Sequence, residues 1–193
     1  MAVLKAMTSG GKRRESDFYP TPPEATRALL PLIAHWPRRV WEPCCGDGAI
    51  SRVLEAEGYS VNSTDLVYRG YGIGDRDFFK CEAIATRIII TNPPFNLADE
   101  FITHAQRLEV GYMALLLKID FWNAAKRRRT FYDWPPASVH PLTWRLDFTG
   151  AGRPHTNCMW CLWEPRGGNS LTKFLPISRP AVSETEILED LMA

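Results

Sequence analysis

Ile88-Ile89-Ile90-Thr91-Asn92-Pro93-Pro94-Phe95 places an amide, a proline carbonyl and an aromatic ring directly after a run of β-branched residues. Such a run reads as a buried strand, and two consecutive prolines stop it abruptly. An Asn-Pro pair often marks nothing more than a turn. At the carboxyl end of a central strand, the edge where open α/β sheets bind ligands, the same residues suit a reaction at nitrogen. An exocyclic amine conjugated to a ring is a poor nucleophile until its lone pair is freed. The Asn92 side-chain oxygen and the Pro93 carbonyl can take its two hydrogens, while Phe95 stacks on the ring and fixes its angle of attack.

A second chemical segment lies upstream at Val40-Trp41-Glu42-Pro43-Cys44-Cys45-Gly46-Asp47-Gly48-Ala49-Ile50. It reads as a strand running through a small-residue turn into a helix. Gly46 and Gly48 permit a tight turn and close approach of a ligand's polar end, and a helix starting near Ala49 aims unpaired N–H groups at an anion such as a carboxylate. Taken alone, G-x-G is equally a plain strand-to-helix turn. Eighteen residues beyond Asp47, Asp65 follows the next strand, where an acid in a doubly wound sheet accepts hydrogen bonds from both hydroxyls of a ribose. Asp65 also suits a turn cap. Gly74-Asp75-Arg76-Asp77-Phe78-Phe79 is expected at the end of a third strand, with an aspartate for an adenine amino group and phenylalanine to cover its face. Gly70, Gly72 and Gly74 lack a preceding strand and read as a flexible loop.

Alternating elements must position these groups. Strands are predicted at Arg39–Trp41, Ser60–Thr64, Arg87–Thr91, Tyr112–Lys118 and Asn157–Glu164, and helices at Pro22–Ala34, Ala49–Glu57, Ala98–Leu108 and Phe121–Tyr132. This alternation argues for β-α-β units and a mainly parallel sheet with helices on both faces. The proline- and glycine-rich stretch from Asp133 to Pro154 breaks the rhythm and reads as long loops or a hairpin near the end of the sheet. Thr21-Pro22-Pro23-Glu24 reads as a helix start, with Thr21 as cap, Pro22 in the first helical position and Glu24 completing a capping box.

The whole chain has 193 residues, 45% hydrophobic and 23% charged, the size and balance of one domain with a core. A basic arm (1–16), a main domain (17–180) and an acidic tail (181–193) are the expected divisions. With 23 basic and 22 acidic residues the net charge is +1, so any nucleic-acid affinity must come from a local patch. One such patch runs from Lys118 to Arg153, with seven basic and three acidic residues. It includes Lys126, Arg127, Arg128 and Arg129 beside Trp122, Phe131, Tyr132 and Trp134. Cations there can neutralise phosphates while aromatics cover an unstacked base. A helix with a solvated basic face explains the run equally well.

No apolar run reaches the length of a membrane span, and no signal-peptide stretch is expected at the start. Five irregularly spaced cysteines do not suggest a disulfide framework, so a reducing cytoplasm is expected. Cys158-x-x-Cys161 lacks the second ligand pair of a structural zinc site and reads as part of a strand buried on both faces. His35, His104, His140 and His155 show no metal spacing. No metal is expected.

Taken together, these motifs resemble class I S-adenosylmethionine-dependent methyltransferases of the amino-group type that makes N6-methyladenine in DNA. The resemblance covers roughly residues 16–164 and implies a Rossmann-like methyltransferase fold. It implies that Glu42, Pro43, Gly46, Asp47 and Gly48 bind the methionine part of the cofactor, Asp65 its ribose, and Asp77 and Phe78 its adenine. Asn92, Pro93, Pro94 and Phe95 match the Asn-Pro-Pro-aromatic catalytic motif. Asp17-Phe18-Tyr19-Pro20-Thr21-Pro22-Pro23 is similar to a segment of small, phage-like adenine methyltransferases, which implies that Tyr19 and Thr21 line the cofactor site. Cys44-Cys45 departs from the commoner small pair at the turn. No stretch between or after the motifs is expected to form a separate target-recognition domain, so a short or relaxed target site is expected. DNA is the implied substrate; RNA, a protein glutamine amide, or a non-catalytic nucleic-acid-binding role are the alternatives.

Overall fold

Alternation of apolar side chains along the central strands decides which layer each one joins. In β3 (Ile88–Thr91), Ile88 and Ile90 pack into one apolar cluster and Ile89 into the other. The same split runs through β4 (Tyr112–Lys118), with Ala114 and Leu116 on one side and Met113, Leu115 and Leu117 on the other. A strand buried on both faces needs a helix layer on each. The computed structural model, which describes residues 18–165 and 171–181, supplies both. One face receives α1 (Pro23–Ile33) and α2 (Ala49–Ala56) through Ala25, Leu29, Ile33, Ile50 and Leu54. The opposite face receives α3 (Ala98–Arg107) through Ala98, Phe101, Ile102 and Ala105. Each fully buried Leu, Ile or Phe in these layers contributes roughly 1.5–3 kcal/mol relative to exposure.

Seven strands form one sheet in the order β2-β1-β3-β4-β6-β5-β7. β1 is Arg39–Glu42, β2 Ser60–Ser63, β5 Ser138–Leu146, β6 Thr156–Trp163 and β7 Lys173–Phe174. β1 pairs in parallel with β2 on one side and β3 on the other, and β3 pairs in parallel with β4. β6 runs antiparallel to both β4 and β5, whereas β7 is parallel to β5. The fold is therefore α/β with a mostly parallel sheet and helices on both faces.

The hairpin alternative for Asp133–Pro154 is the one adopted. β5 was hidden in the sequence by Pro141, which is accommodated because the β5–β6 register shifts between Pro141 and Arg145. β6 carries Cys158 and Trp160 into one cluster and Met159, Cys161 and Trp163 into the other. The two cysteines of the C-x-x-C thus face opposite layers, and all five cysteines are free thiols.

Three expectations change. The third strand is absent: after β2 the chain makes a single parallel bridge, Thr64 to Ile73, and continues irregularly. Gly70 and Gly72 adopt positive φ there, which breaks strand geometry. Phe121–Tyr132 is not one helix but two 3-10 turns (Phe121–Asn123 and Ala125–Arg127) followed by the short α4 (Arg128–Asp133). The break falls at Ala124, whose extended backbone (φ −95°, ψ 124°) interrupts the helix ahead of the basic run, and the Arg127 guanidinium hydrogen-bonds back to the Phe121 carbonyl. The capping box is also absent, because Pro22 occupies the cap position, Pro23 begins the helix, and Glu24 pairs with Arg179 at 3.2 Å. The expected arm (1–16) and nearly all of the expected tail lie outside the described residues. Among the described residues, no helix is long and apolar enough to cross a membrane.

Candidate active site

The chain goes from β1 to its neighbour β2 on one side, then crosses to β3 on the other. That reversal opens a crevice outside the carboxyl ends of β1 and β3, the usual place for a ligand in a doubly wound sheet. Glu42 ends β1 and Thr91 ends β3, so the glycine turn and the Asn-Pro-Pro-Phe segment both leave the sheet at this edge.

Backbone hydrogen bonds knit the turn after β1 to the end of β2. Cys45 N–H donates to the Thr64 carbonyl at 3.0 Å, and Thr64 N–H to the Glu42 carbonyl at 2.9 Å. Asp65 completes the link by accepting from Gly46 N–H at 2.8 Å and Val67 N–H at 2.9 Å. Its carboxylate serves as a turn cap, as one reading allowed, and remains half-buried at the crevice edge. Asp47 accepts from Ala49 N–H at 3.2 Å at the start of α2.

Glu42 lies beneath this turn at 1% exposure. Ser51 Oγ donates a short hydrogen bond to its Oε2, and Ser51 and Ser63 hydroxyls lie 2.6 Å apart. Burial drives the Glu42 pKa well above the usual carboxylate range, opposed by the Ser51 hydrogen bonds. Burial likewise raises the Cys44 thiol well above its ordinary value and pushes Cys45 up to about 12. Neither cysteine is a thiolate nucleophile.

The two glycines require their lack of a side chain. Gly46 has φ +56°, and an added Cβ would lie 2.2 Å from the Phe18 ring. Gly48 has φ +88°, and its Cβ would lie 2.5 Å from the Tyr71 ring. Arg69 stacks over Phe18 at 4.4 Å and Arg52 over Tyr71 at 4.6 Å, while Tyr71 also donates to Glu55 at 2.7 Å. Phe18 and Tyr71 thus border the cradle, and sequence reasoning assigned neither a role. The signal for Tyr71 was its position between Gly70 and Gly72, read only as loop.

At the end of β3, the Asn92 Nδ2 group donates to Thr21 Oγ1 at 3.0 Å. Asn92 Oδ1 is buried without a hydrogen-bond partner. Among the described residues seven buried side-chain polar atoms lack a protein partner, and Asn92 Oδ1 is the one carboxamide oxygen among them. Phe95 is half-buried, in edge contact with Phe148 at 6.0 Å, and Phe148 in turn contacts Tyr19 at 6.3 Å. Lys118 Nζ lies 5.2 Å from the Phe95 ring centre. A small cavity beside Phe95 is walled by Leu117, Lys118, Asp120, Phe121 and Arg127.

The remaining expected site residues separate. Asp77 caps the 3-10 turn Phe78–Lys80, accepting from Phe79 N–H at 3.0 Å. Phe78 packs into the core, 5% exposed and stacked on Phe101 at 3.9 Å. Its neighbour Phe79 is the more exposed ring. Within the basic run, Arg129 pairs with Asp133 at 3.2 Å, Arg128 lies over Tyr132, Lys126 is exposed, and Arg127 faces the cavity. No cluster of three or more potential metal ligands occurs among the described residues.

No protein-family model matches this sequence, and no curated protein matches it. Solved structures do match. A protein from Pyrococcus horikoshii assigned as an RNA methyltransferase superposes with a TM-score of 0.60 at 16% identity, over 83% of this chain and 92% of that one. A protein from Listeria monocytogenes assigned as a class I S-adenosylmethionine-dependent methyltransferase gives 0.57 at 11% identity, over 89% of this chain and 69% of that one. The modification subunit of a type I restriction enzyme assigned in Vibrio vulnificus gives 0.52 at 13% identity, over 93% of this chain and 53% of that one, so the chain spans about half of that subunit. At such identities the likeness establishes architecture alone: the chain has the Rossmann-like fold of class I methyltransferases.

Proposed function

We propose that this chain transfers a methyl group from S-adenosylmethionine to the exocyclic N6 amine of adenine in DNA, with the base turned out of the duplex into the crevice at Asn92–Phe95. The observation that carries the reading is the buried, unpartnered Asn92 Oδ1 at the carboxyl end of β3. An acceptor held without a partner is the group an incoming amine hydrogen would satisfy. With the Pro93 carbonyl taking the second hydrogen, the nitrogen lone pair is withdrawn from the ring and made available for attack. Phe95 offers its face to the base.

The residues of the turn fit the cofactor. Two positive-φ glycines leave backbone where a side chain would collide, a helix N-terminus follows, and Asp47 and Asp65 lie half-buried beside them. Gly46, Asp47 and Gly48 would hold the amino-acid end, with Pro43 and Glu42 supporting the turn from below and Asp65 meeting the ribose. Tyr19 and Asp77 would stand at the margins. Bound there, the cofactor supplies an electrophilic methyl group. Lys126 and Arg128 would meet the phosphate backbone, while Arg127 would wall the cavity beside Phe95.

RNA is the second reading, favoured by the similarity to a protein assigned as an RNA methyltransferase. The test is incubation of the full chain with methyl-labelled S-adenosylmethionine and, separately, unmethylated DNA, RNA and protein, followed by mass spectrometry of the products. N6-methyladenine in DNA is expected. Label confined to RNA or to glutamine overturns the DNA assignment, and no transfer to any of the three overturns the enzymatic one.

A further inference from the structure

We propose that Thr21 is a positioning residue that sets the orientation of the Asn92 amide through its hydroxyl, an inference that rests on reading Asn92 as the acceptor for the target amine. The two ends of an asparagine amide are nearly equal in shape and opposite in hydrogen bonding, and the terminal torsion between them is soft. Reaction at an amine requires the oxygen end to face it. An inverted Asn92 would present donors to a donor.

The backbone on the carboxyl side of Asn92 is stiff, because Pro93 and Pro94 fix φ and lack N–H groups. The side-chain amide needs a separate anchor, and the structure supplies it from 71 residues earlier in the chain. Asn92 Nδ2 donates to Thr21 Oγ1 at 3.0 Å, which directs Oδ1 away from Thr21 and leaves it without a partner. Thr21 is itself 4% exposed and rigidly held. Pro22 and Pro23 follow it, Ala25 N–H donates to the Pro22 carbonyl at 2.9 Å, and Trp160 Nε1 donates to the Ala25 carbonyl at 2.8 Å, pinning α1 to β6. Its hydroxyl is not used in capping, because Pro22 is the cap residue of α1 and no side-chain cap bond forms. Thr21 therefore has one evident task, which is to hold the nitrogen end of Asn92 so that the oxygen end is presented.

Thr21→Val removes the hydroxyl at nearly constant shape, and Thr21→Ser keeps it. Three measurements on the full chain decide the matter: cofactor affinity by calorimetry, kcat and KM for methyl transfer to unmethylated DNA, and the Asn92 side-chain amide signals by NMR, assigned by their loss in Asn92→Ala. In Thr21→Val, kcat is expected to fall by about 10- to 100-fold, the scale of a misplaced reacting group, while cofactor affinity and KM hold. Its Asn92 amide protons should exchange faster with solvent, and Thr21→Ser should restore both readouts. Unchanged kcat and amide signals in folded Thr21→Val overturn the proposal. A loss confined to cofactor affinity also overturns it, making Thr21 a cofactor ligand. If valine impairs folding, Thr21→Ala takes its place under the same criteria. Normal turnover by Asn92→Ala is a different failure, that of Asn92 as acceptor, and the amide signals still decide whether Thr21 orients it.

Discussion

Gly46 N–H donates to Asp65 Oδ2 at 2.8 Å, joining the turn after β1 to the turn after β2. The same carboxylate accepts from Val67 N–H. One acid therefore organises the cradle before any ligand arrives. Asp65→Ala should cost about 1–3 kcal/mol in urea unfolding of the cofactor-free protein, because two backbone donors lose their acceptor. It should also weaken S-adenosylmethionine binding by a similar amount in calorimetry. Undiminished stability and affinity in this variant would show that Asp65 has neither task.

Asn92→Ala separates binding from chemistry. Cofactor affinity should persist, since the turn after β1 is untouched, while methyl transfer falls on the order of 100-fold or more, the scale of one preorganised polar group. Near-normal kcat measured with labelled cofactor would refute the role of Oδ1.

Much of this arrangement was legible from residue order. β3 announced itself by three consecutive isoleucines, and the segment after it lies where the sheet reverses because β1 and β3 are neighbours. Legibility failed where long-range contacts outweighed local pattern. Thr21 has every local mark of a helix cap, yet its hydroxyl serves a residue 71 positions away. The stacking of Phe78 on Phe101 of α3 likewise has no local mark in the sequence. β5 was obscured by Pro141, whose place depends on a register shift against β6.

Glu42 predicts a pH dependence of stability. Its folded pKa is raised by burial, so as pH rises the unfolded chain releases this proton first. The contribution is full below the ordinary carboxylate value of 4.5 and is lost as pH climbs toward the raised folded value. Glu42→Gln keeps an acceptor for Ser51 without the ionisation. Its stability advantage over the parent protein should grow above about pH 4.5, by at most about 1.4 kcal/mol per pH unit, in urea titrations run across the neutral range. A constant difference at all pH values would contradict the assignment.

Gly46 tests the contact with Phe18. Gly46→Ala forces an L side chain into the left-handed region, a cost of about 1–2 kcal/mol, and drives its Cβ into the Phe18 ring. Phe18→Ala in the same chain should relieve the collision and leave the backbone strain. The double variant is therefore expected to be more stable than the sum of the single changes indicates, as read by a denaturation cycle. Strict additivity would place Phe18 elsewhere in solution.

The basic run should divide into two functions when its members are removed singly. Lys126 is exposed and Arg128 stacks only on Tyr132, so alanine at either should weaken DNA binding across sequences and reduce the slope of log affinity against log salt by about one contact each. Arg129 is paired with Asp133 at the surface, which leaves it less available to a phosphate, and its removal should change the slope least. Arg127 differs in kind: its guanidinium packs over Phe121 at 4.1 Å, bonds to the Phe121 carbonyl, and walls the cavity beside Phe95. Arg127→Ala should loosen that wall and lower kcat as well as affinity. Salt slopes and kcat unaltered from the parent protein in all four alanine variants would return the run to a solvated face with no part in substrate binding.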